Sequence, residues 1–304
     1  MDFAQELKQR SAQAEEIIER YLPAEEGQQH LLREAMNYSM RAGGKRLRPI
    51  LMKLAFELFG GEGTSVEPFM AAMEMIHTHS LIHDDLPAMD NDTYRRGKKT
   101  CHVVYGEALA ILAGDALLNH AYETASGAFF AAGDGAQTAA PAVMERAARA
   151  LKILSVKTGT AGMMGGQSVD VLMEGKPLSS ELIDFIYALK TGALLEASLM
   201  CGAALAGADE EGIRKMEQIG QQIGLAFQIR DDMLDIVGDQ ESLGKNIGSD
   251  ARNNKTTYVT LRGLKQSGED VNALTESALG LLDTIPGEKA FLHALLLYMA
   301  GREY

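Results

Sequence analysis

Cysteine is scarce: Cys101 and Cys201 are the only two in 304 residues. Neither stands at a spacing that suits a metal, so free thiols in a reducing compartment are the default, and a cytoplasmic location is expected. Positive charge is short as well. The 29 Lys and Arg face 42 Asp and Glu, for a net charge of −13, which argues against a nucleic-acid surface. No run of 18 uncharged apolar residues occurs, so no membrane span is expected. The opening Met1-Asp2-Phe3-Ala4-Gln5-Glu6 is polar and acidic, unlike a signal peptide. Strand-type alternation is missing apart from a locally strand-like His102-Val103-Val104-Tyr105. No Ser/His/Asp or Cys/His pairing suggests a covalent nucleophile.

What remains is helical almost throughout. Apolar positions recur at helical spacing over 4–21, 28–41, 49–58, 65–86, 105–131, 138–164, 179–207, 209–237, 270–283 and 289–300. Gly43-Gly44 and Gly60-Gly61 are stop signals, and Pro49 falls in the first turn of its helix. Glycines such as Gly165 and Gly166 lie inside a helical pattern, which suggests close packing or ligand approach. Residues 238–254, rich in Asp, Gly and Asn, read as a loop. No linker or composition shift divides the chain. The expectation is one all-α domain over residues 1–304, a bundle of about ten helices or more.

Two acidic clusters stand out. Ser80-Leu81-Ile82-His83-Asp84-Asp85-Leu86-Pro87-Ala88-Met89-Asp90 reads as a buried helix ending in carboxylates, with Pro87 enforcing the break that lets Asp84, Asp85 and Asp90 gather. Carboxylates crowded against an apolar wall resist ionisation unless a cation joins them. Oxygen-only donors of this kind suit Mg²⁺. In Phe227-Gln228-Ile229-Arg230-Asp231-Asp232-Met233-Leu234-Asp235, Asp231 and Asp235 share one helix face, with Gln228 one turn earlier.

Cations cluster against the acidic background. Lys45 and Arg48, in Gly43-Gly44-Lys45-Arg46-Leu47-Arg48-Pro49, share a side at a helix start, where backbone N–H groups already favour an anion. An Arg fork beside a Lys point charge matches diphosphate. His77 lies two turns before Asp84. Arg95-Arg96-Gly97-Lys98-Lys99 follows the first acid cluster, Lys190-Thr191-Gly192 lies in a helical run, and Lys245 and Lys255 flank the second. Taken singly, each is equally a solvated surface group. Together they describe a site for metal, diphosphate and an apolar chain, suited to ionising the diphosphate ester of a greasy alcohol. Two other all-α metal chemistries remain: an HD-type phosphohydrolase, on His83-Asp84, and a terpene cyclase, which has no use for Lys45 and Arg48.

In these motifs, their order and nearly the whole length, the chain resembles the trans-prenyl diphosphate synthases, most closely the bacterial farnesyl diphosphate synthases. The resemblance implies an all-α helical bundle around a central apolar cavity, assembled as a homodimer. It implies Mg²⁺, three ions, with Asp84, Asp90 and Asp231 as metal ligands. The catalytic set would be Asp84, Asp85, Asp90, Asp231, Asp232, Lys190 and Lys245. Isopentenyl diphosphate would be held by Lys45, Arg48, His77 and Arg96, and the allylic diphosphate by Arg95, Lys190, Thr191, Gln228, Lys245 and Lys255. Thr93 stands where the family often has an acid. His79 stands where farnesyl-making relatives carry an aromatic, which makes His79 and Ser80 the expected chain-length positions and leaves C15 and C20 products open.

Overall fold

In a computed structural model, which describes residues 2–130, 139–237 and 256–301, the amphipathic runs fold as helices, and the contacts gather into two compact units. The first comprises residues 1–53 and 62–151, the second 54–61 and 152–304.

In the first unit, α1 (Phe3–Glu19), α2 (His30–Met40) and the opening turns of α3 (Leu47–Leu58) accompany α4 (Glu67–Asp84). Helix α4 is buried nearly all round, with Phe69, Met70, Ala71, Ala72, Met73, Met75 and Ile76 all inaccessible. Such a helix has no polar stripe to leave in water. It packs extensively against α6 (Glu107–Ser126), whose buried face is mostly small: Ala110, Ala113, Gly114, Leu117, Ala121 and Ala125. Small residues at that spacing let two backbones approach. Helix α4 stops at Asp84, short of Pro87, and the Asp90 N–H then donates to the Asp84 carbonyl at 2.8 Å. The acid segment is thereby folded back on its own helix end.

Two features depart from the expected pattern. Tyr94–Arg95 (β1) pairs antiparallel with Lys98–Lys99 (β2), Tyr94 opposite Lys99 and Arg95 opposite Lys98. Two-residue strands are too short to show alternation. The connecting Arg96 and Gly97 both take positive φ, +52° and +74°, the pattern of a tight two-residue hairpin turn. The strand-like stretch His102–Tyr105 is instead part of a helix, α5 (Cys101–Tyr105). Tertiary contacts override its β-branched composition: Cys101 is buried, Tyr105 donates to Glu34 at 3.1 Å, and its ring meets Tyr38 edge-on at 5.5 Å.

Helix α7 (Pro141–Thr158) supplies its last turns to the second unit. There follow α8 (Met163–Leu172), α9 (Ser180–Ile186), a π-helix (Tyr187–Gly192), α10 (Ala193–Ala206), α11 (Glu210–Val237), α12 (Tyr258–Arg262), α13 (Leu264–Asp283) and α14 (Ala290–Ala300). The single helical run expected over 179–207 is therefore three segments. Ser179 caps it, accepting from the Leu182 N–H. By length and composition Ser180–Ala206 would suffice to cross a membrane, but 78% of its apolar window is buried against the rest of the protein, as in a core helix. Gly166 of α8 meets the π-helix at the Lys190 backbone nitrogen, where a side chain would collide. Close packing is thus the reason for a glycine inside that helix. The loop read over 238–254 lies outside the described residues.

Glu196 sits on the buried α10 and is only 3% exposed. Lys157 of α7 donates to Glu196 and, at 2.7 Å, to Glu217 of α11. Burial pushes the Glu196 carboxyl up and Lys157 opposes that shift. Removing the cation leaves two carboxylates facing each other, one of them buried. Lys157→Met should destabilise the protein by about 3–5 kcal/mol, read as a lower urea midpoint with unchanged slope. A loss under about 1 kcal/mol would show that the cluster contributes little.

Candidate active site

The first unit carries the first acid motif and the expected isopentenyl diphosphate residues. Asp84 is partly buried at the end of α4 and Asp90 is exposed on the returning loop. Asp85 turns inward and is 4% exposed. It accepts from Arg95 Nε at 2.7 Å, and Arg95 also reaches Asp92 at 3.5 Å. Burial raises the Asp85 pKa and the Arg95 guanidinium opposes the rise. Asp85, expected in the catalytic set, thus holds the hairpin through Arg95, and Arg95, expected on the allylic diphosphate, is anchored beside the acid motif.

Arg48, His77 and Arg96 come together around the start of α3, and Lys45 lies on the loop that leads into it. Lys45 is exposed, and its carbonyl accepts from Ser11 Oγ at 3.1 Å. Arg48 Nη1 lies 3.3 Å from His77 Nε2. Burial, then the Arg48 and Arg96 charges, hold His77 well below its ordinary pKa. A neutral ring leaves Nε2 free to accept from the guanidinium. Arg96, at the hairpin tip, donates to the Gly43 carbonyl, and its guanidinium lies on Gly44. Gly44 has φ +135°, which favours glycine, and a Cβ there would stand 2.8 Å from the guanidinium carbon and displace it.

His79 faces away from this cluster. It is 5% exposed, its Nδ1 is 3.0 Å from the Gly114 carbonyl of α6, and its ring meets His83 edge-on at 4.6 Å. His83 Nε2 in turn lies 3.1 Å from the Ile111 carbonyl. Ser80, the other chain-length candidate, donates back to the His77 carbonyl at 2.9 Å.

The second unit carries the other half of the expected set. Lys190, in the π-helix, pairs with Asp170 of α8 at 2.6 Å. Thr191 Oγ1 donates to Gln228 Oε1 at 2.9 Å, and Gln228 Nε2 lies 3.4 Å from Asp232. Asp232 is 4% exposed and accepts from Tyr187 OH at 2.6 Å and from the Tyr258 N–H at 3.0 Å. It ties the π-helix, α11 and the start of α12 together. Asp231 and Asp235 are partly buried on α11. Lys245 and Lys255 lie outside the described residues.

Sequence reasoning missed Asp170 and Tyr187. An acid four residues after Gly166 in a glycine-containing helix was an available signal for the first. Tyr187 on an apolar face reads as ordinary core.

The carboxylates that the resemblance implies as metal ligands are of a kind that suits Mg²⁺. Asp84, Asp90 and Asp231 offer only oxygen, and among the described residues no three His, Cys, Asp or Glu side chains close into a cage. Mg²⁺ needs no such cage, since it takes one or two carboxylates and keeps waters and phosphate oxygens. Tightly held transition-metal chemistry of the HD type would want several His beside the Asp, whereas His79 and His83 bond to α6 carbonyls.

The sequence profile described as polyprenyl synthetase matches residues 29–285. Over 273 residues the chain is 44% identical to a geranylgeranyl diphosphate synthase of Cyanophora paradoxa, covering 90% of this chain and 87% of that one. It is 40% identical to a farnesyl diphosphate synthase of Geobacillus stearothermophilus, over 100% and 99% of the two lengths. The crystal structure of a geranylgeranyl pyrophosphate synthetase from Pyrococcus horikoshii superposes with a TM-score of 0.86 at 30% identity, covering 99% and 98%.

Burial, then the neighbouring His83, lowers the His79 pKa to about 4. The unfolded chain protonates near the ordinary value of about 6.5. The contribution of His79 to stability is therefore fully present above about pH 6.5 and is lost as pH falls toward 4, by roughly 3 kcal/mol, beside that of His77. In His79→Phe this acid limb should flatten, as followed by denaturant titrations between pH 7 and 4. An unaltered slope would mean that His79 does not titrate in that window.

Proposed function

The chain belongs to the polyprenyl synthetase family, a family of prenyltransferases, and on that premise we propose that it condenses isopentenyl diphosphate head-to-tail with dimethylallyl and geranyl diphosphates, with farnesyl diphosphate as the main product. The observation that carries this reading is the convergence of Arg48, His77 and Arg96 beside the loop that bears Lys45, in the same unit as an acid motif. A second diphosphate site of that kind is what a condensing enzyme needs and a cyclase does not.

Asp84, Asp90 and Asp231 would hold three Mg²⁺ ions, which supply charge for a departing diphosphate. The chain's own residues do the rest. Lys190, Thr191, Gln228 and Arg95 bind the allylic diphosphate, with Lys245 and Lys255 assigned by sequence. Asp85 orients Arg95, and Asp232 keeps Gln228 and the π-helix in register. Lys45, Arg48 and Arg96 bind isopentenyl diphosphate. His77 stays neutral and steers the Arg48 fork. The allylic C–O bond breaks, the isopentenyl double bond attacks the cation, and the proton released goes to the departing diphosphate. A homodimer in the cytoplasm completes the proposal.

A second reading, geranylgeranyl diphosphate as the main product, is favoured by one observation. His79 stands where farnesyl-making relatives carry an aromatic, and its ring is engaged by the Gly114 carbonyl of α6. Met75, buried on the same helix, adapts its shape readily and supports the C15 reading.

Asp84→Ala, Asp90→Ala and Asp231→Ala should each cut turnover by orders of magnitude while helical circular dichroism stays unchanged. Near wild-type rates at saturating Mg²⁺ would remove the metal assignment. Products made from isopentenyl diphosphate with each allylic primer, separated by chromatography, decide chain length. His79→Tyr should shift them toward C15 and His79→Ala should lengthen them. An identical mixture from both variants would place the length control elsewhere.

A further inference from the structure

Arg46 stands between the two cradle cations Lys45 and Arg48, yet its side chain is 0% exposed. Its guanidinium is divided among three elements. Nη1 meets Glu74 of α4 at 2.5 Å, Nε and Nη2 meet Glu15 of α1 at 2.8 and 3.1 Å, and Nη2 also donates to the Met40 carbonyl at the end of α2. The backbone of Arg46 is left-handed, with φ +49°. A side chain other than glycine resists that conformation, so the surrounding contacts must impose it.

Helix α4 makes two rungs to this loop. Glu74 holds Arg46, and three residues later His77 meets Arg48. Ser11 holds the Lys45 carbonyl and Arg96 holds that of Gly43. A buried ion pair is a weak source of stability compared with apolar packing. What it offers is one geometry in place of several. We propose that Arg46 is a positioning residue, whose buried fork sets the left-handed turn and so pre-orders Lys45 and Arg48 for the diphosphate of isopentenyl diphosphate. The inference rests on the function proposed above. A cradle ordered before binding avoids the entropy of ordering long cations on the ligand.

Arg46→Lys keeps the charge but cannot serve three partners at once. In initial-rate kinetics it should raise KM for isopentenyl diphosphate roughly tenfold, leaving kcat and the allylic KM within about twofold. Glu15→Gln, on the half-exposed arm, should give the same split at roughly threefold and serves if Arg46→Lys does not fold. Both KM values rising together, or neither moving, would overturn the proposal. Titration calorimetry of isopentenyl diphosphate into the same proteins separates this from the function itself. A loss of affinity of that size in the variants supports the role of Arg46 whether or not the wild type condenses its substrates. An unchanged Kd rejects that role even if it does.

Discussion

Burying a polar group is costly unless it is answered, and α4 carries several inward: Thr78 Oγ1 has no hydrogen-bond partner among the described residues, whereas four others are met. Glu74, His77, His79 and Asp85 all lie on it or at its end. They are met from three elements: Glu74 by Arg46 and His77 by Arg48, both at the start of α3, His79 by the Gly114 carbonyl of α6, and Asp85 by Arg95 of the hairpin. An unmet group would cost the desolvation of a buried donor or charge. These four pairings therefore dictate where the glycine loop, the helix packed on α4 and the hairpin must sit. The first acid motif inherits its position from them. The cations that a diphosphate would use are set by the same contacts that keep the interior satisfied.

The second unit solves a similar problem differently. Asp232 is answered by a phenol from the π-helix and a backbone N–H from α12, and Lys190 by Asp170. The Thr191 hydroxyl donates to Gln228, which joins the lysine-bearing segment to the acid-bearing helix.

Much of this was readable in advance. Helix positions followed from spacing, the end of α4 followed from Pro87, and the acid and cation motifs were visible as charge against an acidic background. What the sequence hides is direction. Lys45, Arg46 and Arg48 look alike as cations, and periodicity near a glycine turn does not say that the middle one faces inward, because a left-handed residue breaks the count. Asp85 and Asp232 look like their neighbours Asp84 and Asp231, yet their side chains turn to protein donors. The hairpin escaped because four residues carry no period. His102–Tyr105 misled because two adjacent valines speak for a strand while Glu34 and Tyr38, far away in the chain, decide for a helix.

The π-helix at Tyr187–Gly192 has a consequence of another kind. Such a segment is an α-helix with a residue added, and it is held by poorer hydrogen-bond geometry. Deleting one residue there would restore the better backbone pairing and turn everything before it by about 100°. Tyr187 would then leave Asp232. The local fold thus has a more stable neighbour in sequence space, one deletion away, that discards the alignment of the lysine with the acids. Selection for stability alone would favour that neighbour, so the irregular turn marks a place where this chain gives up stability to keep an alignment.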